Sequence, residues 1–455
     1  MARLVIMSNR IAATKERQQK AGGLAVTLQE ALKGDVLWFG WSGRVNSKPA
    51  DKPDIITEKR ISYATIDLTE QEYRHFYIGF SNSTLWPLFH FRLGLVEYLR
   101  EDYRGYLGVN ERFAAAVAPL LKGDDLIWVH DYHLIPMARL LRQRDQAQRI
   151  GFFLHIPFTP PEVIEVLPPA ADIVKDLCAY DVVGFQTETD CRAFRACAEV
   201  YLHARVTTNG DLLIDNRVIR VIAVPAGIDA AAFARLSDAS EKSKEARRLQ
   251  ESLVGRKLMV GVDRLDYSKG LANRFEAYSR LFDRFPEHRS KISYLQIAAR
   301  SREDVLRYQN LKRDLDRICG KINGKFAEFD WVPLRYMTRS VPRRLLAGFY
   351  RSARIGLVTP LRDGMNLVAK EFVAAQPDQD PGVLILSRFA GAAASLKDAL
   401  IVNPYDPDEI TEAIHLAMVM PLAERQARHA ALKEVVQLHS ATAWCRGFMD
   451  QLAAA

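Results

Sequence analysis

The chain has 455 residues, more than one hydrophobic core normally serves, so two domains are expected. Its 63 Lys and Arg exceed its 55 Asp and Glu, for a net charge of +8. The basic residues are scattered among acids, with no basic tail and no motif of a known nucleic-acid module. A nucleic-acid partner is therefore not expected, and the charge is compatible with a positive cleft for phosphorylated substrates.

In chain order, strand-like apolar runs alternate with helical patterns. The first series is Leu4–Ser8, Val36–Trp41, Leu126–His130, Ile150–His155, Val182–Gln186 and Val218–Val224. After Pro225–Asp229 the alternation begins again with Leu258–Val262, Ile292–Ile297, Ile355–Thr359, Val383–Ser387 and Leu400–Asn403. Such alternation predicts parallel sheets with covering helices, hence two Rossmann-like halves joined near residue 228. Ala230–Glu251, rich in Lys, Arg and Glu, reads as a solvated helix, and Leu422–Leu452, with Trp444, as a terminal helical segment. No internal repeat or low-complexity tract interrupts the pattern.

No run approaches the roughly 18 apolar residues of a membrane span. The apolar run in residues 1–10 is short for a signal-peptide core and is broken by Asn9 and Arg10. Cys178, Cys191, Cys197, Cys319 and Cys445 form no C-x-x-C pair, and their odd number argues against a disulfide framework. Buried thiols, a cytoplasmic location and no membrane partner are the expectation.

Thr359–Glu371 (T-P-L-R-D-G-M-N-L-V-A-K-E) places an acid, a glycine and an amide where a buried strand meets a helix. In open α/β sheets ligands sit there, and the helix N-terminus offers N–H donors. The plainer alternative is an ordinary turn in which Gly364 takes an awkward φ and Asp363 caps the helix. A second cluster, D-R-L-D-Y-S-K-G-L at Asp263–Leu271, sets Arg264 and Lys269 after another strand, where both cations could meet a departing phosphate. Its alternative is Arg264 paired with Asp266 and Lys269 exposed. An Asp-x-Asp triplet can hold a metal, but Asp314–Asp316 lies in a charged helical stretch and Asp378–Asp380 in a proline-flanked loop, so both read as solvent-facing and no metal is expected.

Further motifs accompany these: S-N-R ending at Arg10, A-G-G at Ala21–Gly23, W-F-G-W-S-G at Trp38–Gly43 and F-S-N-S-T-L-W-P at Phe80–Pro87. W-V-H-D-Y-H at Trp128–His133, G-F-F-L-H-I-P-F at Gly151–Phe158, D-V-V-G-F-Q-T at Asp181–Thr187 and A-L-I-V-N-P-Y at Ala399–Tyr405 complete the series. In this order and at these separations the chain, from Arg3 to about Arg428, resembles the trehalose-6-phosphate synthases, retaining glycosyltransferases of the two-domain GT-B type.

The resemblance implies an α/β fold of two Rossmann-like domains with parallel sheets facing across a substrate cleft. The acceptor side would be residues 1–228, the nucleotide-sugar side 229–435, and 436–455 a terminal helix crossing back to the first domain. It implies transfer of glucose from UDP-glucose, or another NDP-glucose, to glucose 6-phosphate, without cofactor or metal. Matching positions assign the donor to Gly22, Gly23, His155, Arg264, Lys269, Val341, Asp363, Gly364, Met365, Asn366, Leu367, Val368, Ala369, Lys370 and Glu371. They assign the acceptor to Arg10, Tyr77, Trp86, Asp131 and Arg302, and the chemistry to Arg264, Lys269, Asp131, His155 and Asp363. Seen alone, Tyr77 and Trp86 could be core aromatics, Asp131 a helix cap and His155 a structural residue; His130 and His133 are read as structural. Retention would follow from front-face attack, with the leaving phosphate taking the proton. The chain departs from the family at Thr159 and Arg300, the latter an extra cation beside Arg302. Another acceptor on the same scaffold, such as glycerol 3-phosphate or a cyclitol, and a non-catalytic homologue are the competing readings; oligomeric state is left open.

Overall fold

The structure is a computed structural model describing residues 2–11, 34–301 and 305–455. Gly22, Gly23 and Arg302 lie outside the described residues. The described residues fall into two compact units, one comprising 2–11, 34–225 and 445–455, the other 226–301 and 305–444.

The first unit is built on ten strands: β1 (Leu4–Arg10), β2 (Val36–Val45), β3 (Asp54–Glu58), β4 (Ile61–Leu68), β5 (Leu126–His130), β6 (Arg149–Phe153), β7 (Val182–Phe185), β8 (Arg205–Val206), β9 (Leu212–Ile214) and β10 (Arg217–Ala223). Their order is β3-β4-β2-β1-β5-β6-β7-β10-β9-β8. From β4 to β10 every pairing is parallel; β3, β9 and β8 add antiparallel edges. Gly151 in β6 and Gly184 in β7 leave room for Phe448 of the terminal helix, since a Cβ at either would come within 2.7–2.8 Å of its ring. Phe448 stacks on Trp128 of β5 with centroids 4.6 Å apart.

The second unit holds six parallel strands, β11 (Lys257–Arg264), β12 (Ile292–Ala299), β13 (Leu334–Met337), β14 (Ile355–Val358), β15 (Val383–Ser387) and β16 (Leu400–Val402), in the order β13-β12-β11-β14-β15-β16. Alternate residues serve opposite faces: Leu258, Val260, Leu384 and Leu386 join one core cluster, whereas Met259, Val383 and Ile385 join the other. Both faces of the sheet are therefore covered, which is why these strands read as continuous apolar runs.

Several boundaries differ from the sequence reading. The strand expected over Ile150–His155 ends at Phe153, and His155 lies in the loop beyond it. The helix expected over Ala230–Glu251 is two, Ala230–Glu241 and Lys244–Leu253, because the Ser243 hydroxyl accepts from the Ala246 N–H at 3.2 Å and starts a new helix. The terminal segment likewise divides into Leu422–Leu438 and Ala441–Ala454. No helix among the described residues is long and apolar enough to cross a membrane. All five cysteines are free thiols, and all but the half-buried Cys319 are buried. Burial pushes Cys178 up to about 12 and Cys445 up to about 11, which keeps both protonated at neutral pH.

Candidate active site

In the first unit the predicted acceptor residues gather at the carboxyl ends of the parallel strands, where an open α/β sheet places ligands. Arg10 is the last residue of β1 and pairs in register with Trp41 of β2. Its guanidinium lies 5.9 Å from the Trp41 ring centroid, and Trp41 in turn lies 5.5 Å from Tyr77, which stacks on Tyr73 at 5.4 Å. Trp41 therefore joins Arg10 to Tyr77, a role the sequence reading missed; its position at a strand's carboxyl end was the available signal. Trp86 is almost wholly buried, 5.7 Å from Tyr132.

Asp131 follows β5 with φ 74° and ψ 164°, a backbone region that residues other than glycine rarely occupy. Its N–H donates to the Phe153 carbonyl at 2.9 Å, and its Oδ1 accepts from the His155 N–H at 3.3 Å. Asp131 and His155, 24 positions apart, are thus one cluster. His155 Nε2 lies 3.0 Å from Nδ1 of the fully buried His130. Desolvation lowers His155 to about 3; desolvation, and then His155 itself, hold His130 well below its ordinary value. Two neutral imidazoles sharing a hydrogen bond suit hydroxyl recognition and not proton donation from an imidazolium.

In the second unit Arg264 ends β11, exposed, while Lys269 is only 7% exposed. The Lys269 Nζ donates to Asp363 Oδ2 at 2.6 Å, and Asn366 Nδ2 donates to the same oxygen at 3.0 Å. The plainer turn reading fails on two counts. Asp363 binds Lys269 and Asn366 instead of capping the helix, and the positive φ of the turn, 73°, belongs to Asn366, not to Gly364. The exposed-lysine reading fails as well, and buried Asp266 accepts from the Ser268 N–H at 2.9 Å and from Tyr308 Oη at 3.2 Å.

No side chain caps the helix Leu367–Ala375, so its first turn presents backbone N–H groups beside Asp363. Met365 and Ala369 are buried, and Leu367 and Val368 pack against the core. Val341 also turns its side chain into that core. Lys370 is fully buried and its ammonium donates to the Ala226 carbonyl at 2.6 Å; burial lowers it to about 8. Glu371, 7% exposed, accepts from Arg343 Nε at 3.3 Å.

Arg343 escaped the sequence reading, and so did Arg274, which is completely buried. Arg274 pairs with Asp263 and donates to Thr359 Oγ1 at 2.9 Å and the Lys269 carbonyl at 3.0 Å, tying the ends of β11 and β14 together under Lys269. Of the two Asp-x-Asp triplets, Asp316 pairs with Lys312 at 2.6 Å, Asp378 with Lys433 at 2.7 Å and Asp380 with Arg354 at 3.0 Å, the carboxylates being 46%, 63% and 58% exposed. Two other groups among the described residues bring three possible metal-binding atoms within 4.8 Å of one another: Glu287, His288 and His415, and His75, Glu101 and Asp102. Neither contains a predicted site residue.

Two parallel-sheet α/β units, each bearing polar groups at the carboxyl ends of its strands, define a glycosyltransferase of the GT-B class. A glycosyltransferase family 20 model matches residues 2–454. The trehalose-6-phosphate synthase of Cronobacter sakazakii is 46% identical over 453 residues, covering 99% of this chain and 95% of that protein. A solved α,α-trehalose-phosphate synthase (UDP-forming) from Burkholderia vietnamiensis superposes with a TM-score of 0.97 at 46% identity, covering 100% of this chain and 99% of that one. The Burkholderia xenovorans enzyme in complex with glucose 6-phosphate gives a TM-score of 0.96 at 46% identity, covering 99% of this chain and 100% of that one. The chain belongs to glycosyltransferase family 20.

Proposed function

We propose that this protein transfers glucose from UDP-glucose to glucose 6-phosphate with retention of configuration, giving trehalose 6-phosphate and UDP. The observation that carries the reading is the buried Lys269 ammonium, held on Asp363 beside an uncapped helix N-terminus. Such a site offers a fixed cation and N–H donors to a leaving diphosphate, and a carboxylate to sugar hydroxyls.

In this mechanism the second unit binds the donor. Arg264 and Lys269 take the diphosphate, Asp363 and the Gly364–Leu367 backbone hold the glucosyl hydroxyls, and Val341 offers main-chain groups. Glu371, oriented by Arg343, accepts from the ribose hydroxyls. The first unit binds the acceptor through Arg10, Tyr77, Trp86 and Asp131. Neutral His155 donates or accepts a hydrogen bond at the donor sugar. Gly22, Gly23 and Arg302 keep the roles their motifs assign. The bond from the anomeric carbon to the phosphate oxygen breaks as the acceptor hydroxyl bonds that carbon on the same face, and the hydroxyl proton passes to the departing phosphate. Positioning and electrostatic stabilisation then supply the rate. The cytoplasm is the proposed location.

The test is incubation with UDP-, ADP- and GDP-glucose against glucose 6-phosphate and glycerol 3-phosphate, with products identified by NMR. An α,α-linked product from UDP-glucose and glucose 6-phosphate is expected. Turnover of glycerol 3-phosphate alone, or of no pair, would overturn the assignment.

A further inference from the structure

Tyr77 lies in an unusual element, and Trp86 follows directly at its end as the first residue of the short α-helix Trp86–Phe89. Tyr73–Leu85 is a π-helix of 13 residues, and the Trp86 N–H continues its register by donating to the Ser81 carbonyl. Helices of this type occur mostly as single wide turns, frequently at functional sites, so a run of this length needs something to hold it.

The wide register has a geometric result. Tyr77 and Trp86 are nine positions apart. At 3.6 residues per turn, nine residues make about two and a half turns and send the two side chains to opposite sides. With i→i+5 bonding, at ~4.4 residues per turn, the same nine make about two turns and bring them to one side. The aromatic contacts agree. Tyr77 stacks on His133 at 5.9 Å with an interplanar angle of 12°, and Trp86 lies 5.7 Å from Tyr132, so both reach the two residues that follow Asp131.

One side chain links this register to that turn. Asn82, 2% exposed, donates from Nδ2 to the Tyr77 carbonyl at 2.8 Å, five residues back. Its Oδ1 accepts from Tyr132 Oη at 2.9 Å. The Tyr132 carbonyl is fixed in turn by Tyr106 Oη at 2.9 Å. A single amide therefore links the helix that carries Tyr77 and leads into Trp86 with the turn that carries Asp131.

We propose that Asn82 is a positioning residue for the phosphosugar acceptor: it holds Tyr73–Leu85 in the wide register that sets Tyr77 and Trp86 on one face beside Asp131. The inference rests on the acceptor role assigned to those three residues. Asn82→Asp keeps an acceptor for Tyr132 and removes the donor to Tyr77. Tyr132→Phe keeps the ring and removes the other bond.

Steady-state kinetics and thermal unfolding of both variants test it. Losing a buried hydrogen-bond partner should raise the KM for glucose 6-phosphate about ten- to hundredfold in Asn82→Asp, and about three- to tenfold in Tyr132→Phe. The KM for UDP-glucose should stay within about twofold, a split that general loosening of the fold would not give. If Asn82→Asp does not fold, Tyr132→Phe alone decides. An unmoved acceptor KM in the folded variants, or an equal rise for both substrates, overturns the proposal while leaving the transferase reading intact. A parent enzyme that turns over no glucose 6-phosphate removes both.

Discussion

Arg274→Met is the most demanding test of how the donor site is supported. The Arg274 and Asp263 side chains are 0% and 3% exposed, and the guanidinium also donates to Thr359 and the Lys269 carbonyl. Burial disfavours its charge, yet Asp263 and then Tyr294 outweigh that, so it remains a cation. Methionine fills much of the space but leaves the Asp263 carboxylate buried without its cation, with Gln296 Nε2 3.4 Å away. Removing one partner of such a pair costs about 3–5 kcal/mol, a large share of the ~5–15 kcal/mol that stabilises a typical fold. That corresponds to a thermal midpoint lower by roughly 6–20 °C for a unit of this size. Replacing both residues, Arg274→Met with Asp263→Leu, should recover at least half of the loss, because the uncompensated charge is gone. Urea denaturation followed by circular dichroism measures both variants, with the midpoint read at a constant slope. A loss below about 1 kcal/mol in the single variant, or a double variant as unstable as the single one, would refute the account of a desolvated ion pair.

Three further outcomes follow from the site. Initial rates should be unchanged by EDTA, since Arg264 and Lys269 are assigned the diphosphate; loss of turnover that added Mg²⁺ restores would contradict this. Lys269→Ala should lower kcat and kcat/KM by about 10²–10³ with the KM for glucose 6-phosphate little moved, as for any charge that acts on the leaving group; a pure KM effect would remove it from that role. Stability should fall on acidification below pH ~6.5, because the unfolded chain then takes up protons that His130 and His155 refuse in the folded state. At pH 5 a histidine that stays neutral contributes a loss of about 2 kcal/mol relative to pH 7, and urea midpoints should show a smaller pH dependence in His130→Gln; an identical dependence would disprove it.

What could be read from the chain follows from which interactions are local. Leu126–His130 and Val383–Ser387 were placed to the residue, because a strand covered on both faces is a continuous apolar run. Asp54–Glu58 was missed because it is an edge strand, exposed over four of its five residues and carrying acids at both ends. Lys269 and Asp363 were recognisable because each sits in its own strand-to-helix turn, although their 2.6 Å bond joins positions 94 apart. Arg274 gave no such signal. In a helix pattern an arginine normally marks the solvated face, and only the buried Asp263, 11 residues earlier, explains its position. The π-helix is equally hidden, since the Asn82 amide that bonds back to the Tyr77 carbonyl is met by Tyr132, 50 positions away.

The Lys269–Asp363 pair also suits a site that must hold charge for a substrate. An ammonium as buried as that of Lys269 is tolerated because Asp363 neutralises it and Asn366 shares the same carboxylate oxygen. Sugar hydroxyls that engage Asp363 would weaken its hold on Lys269 just where the diphosphate gains negative charge. The same carboxylate would thus bind the glucosyl group and regulate the cation that stabilises its departure. In the first unit the Asp131 Oδ1 accepts from the His155 N–H at 3.3 Å. Neutral imidazoles and aromatic rings surround that turn, and its strained backbone helps to orient the carboxylate. In the proposed mechanism the charge of the leaving diphosphate would meet the fixed Lys269 ammonium, whereas the acceptor hydroxyl would be oriented by hydrogen bonds and shape.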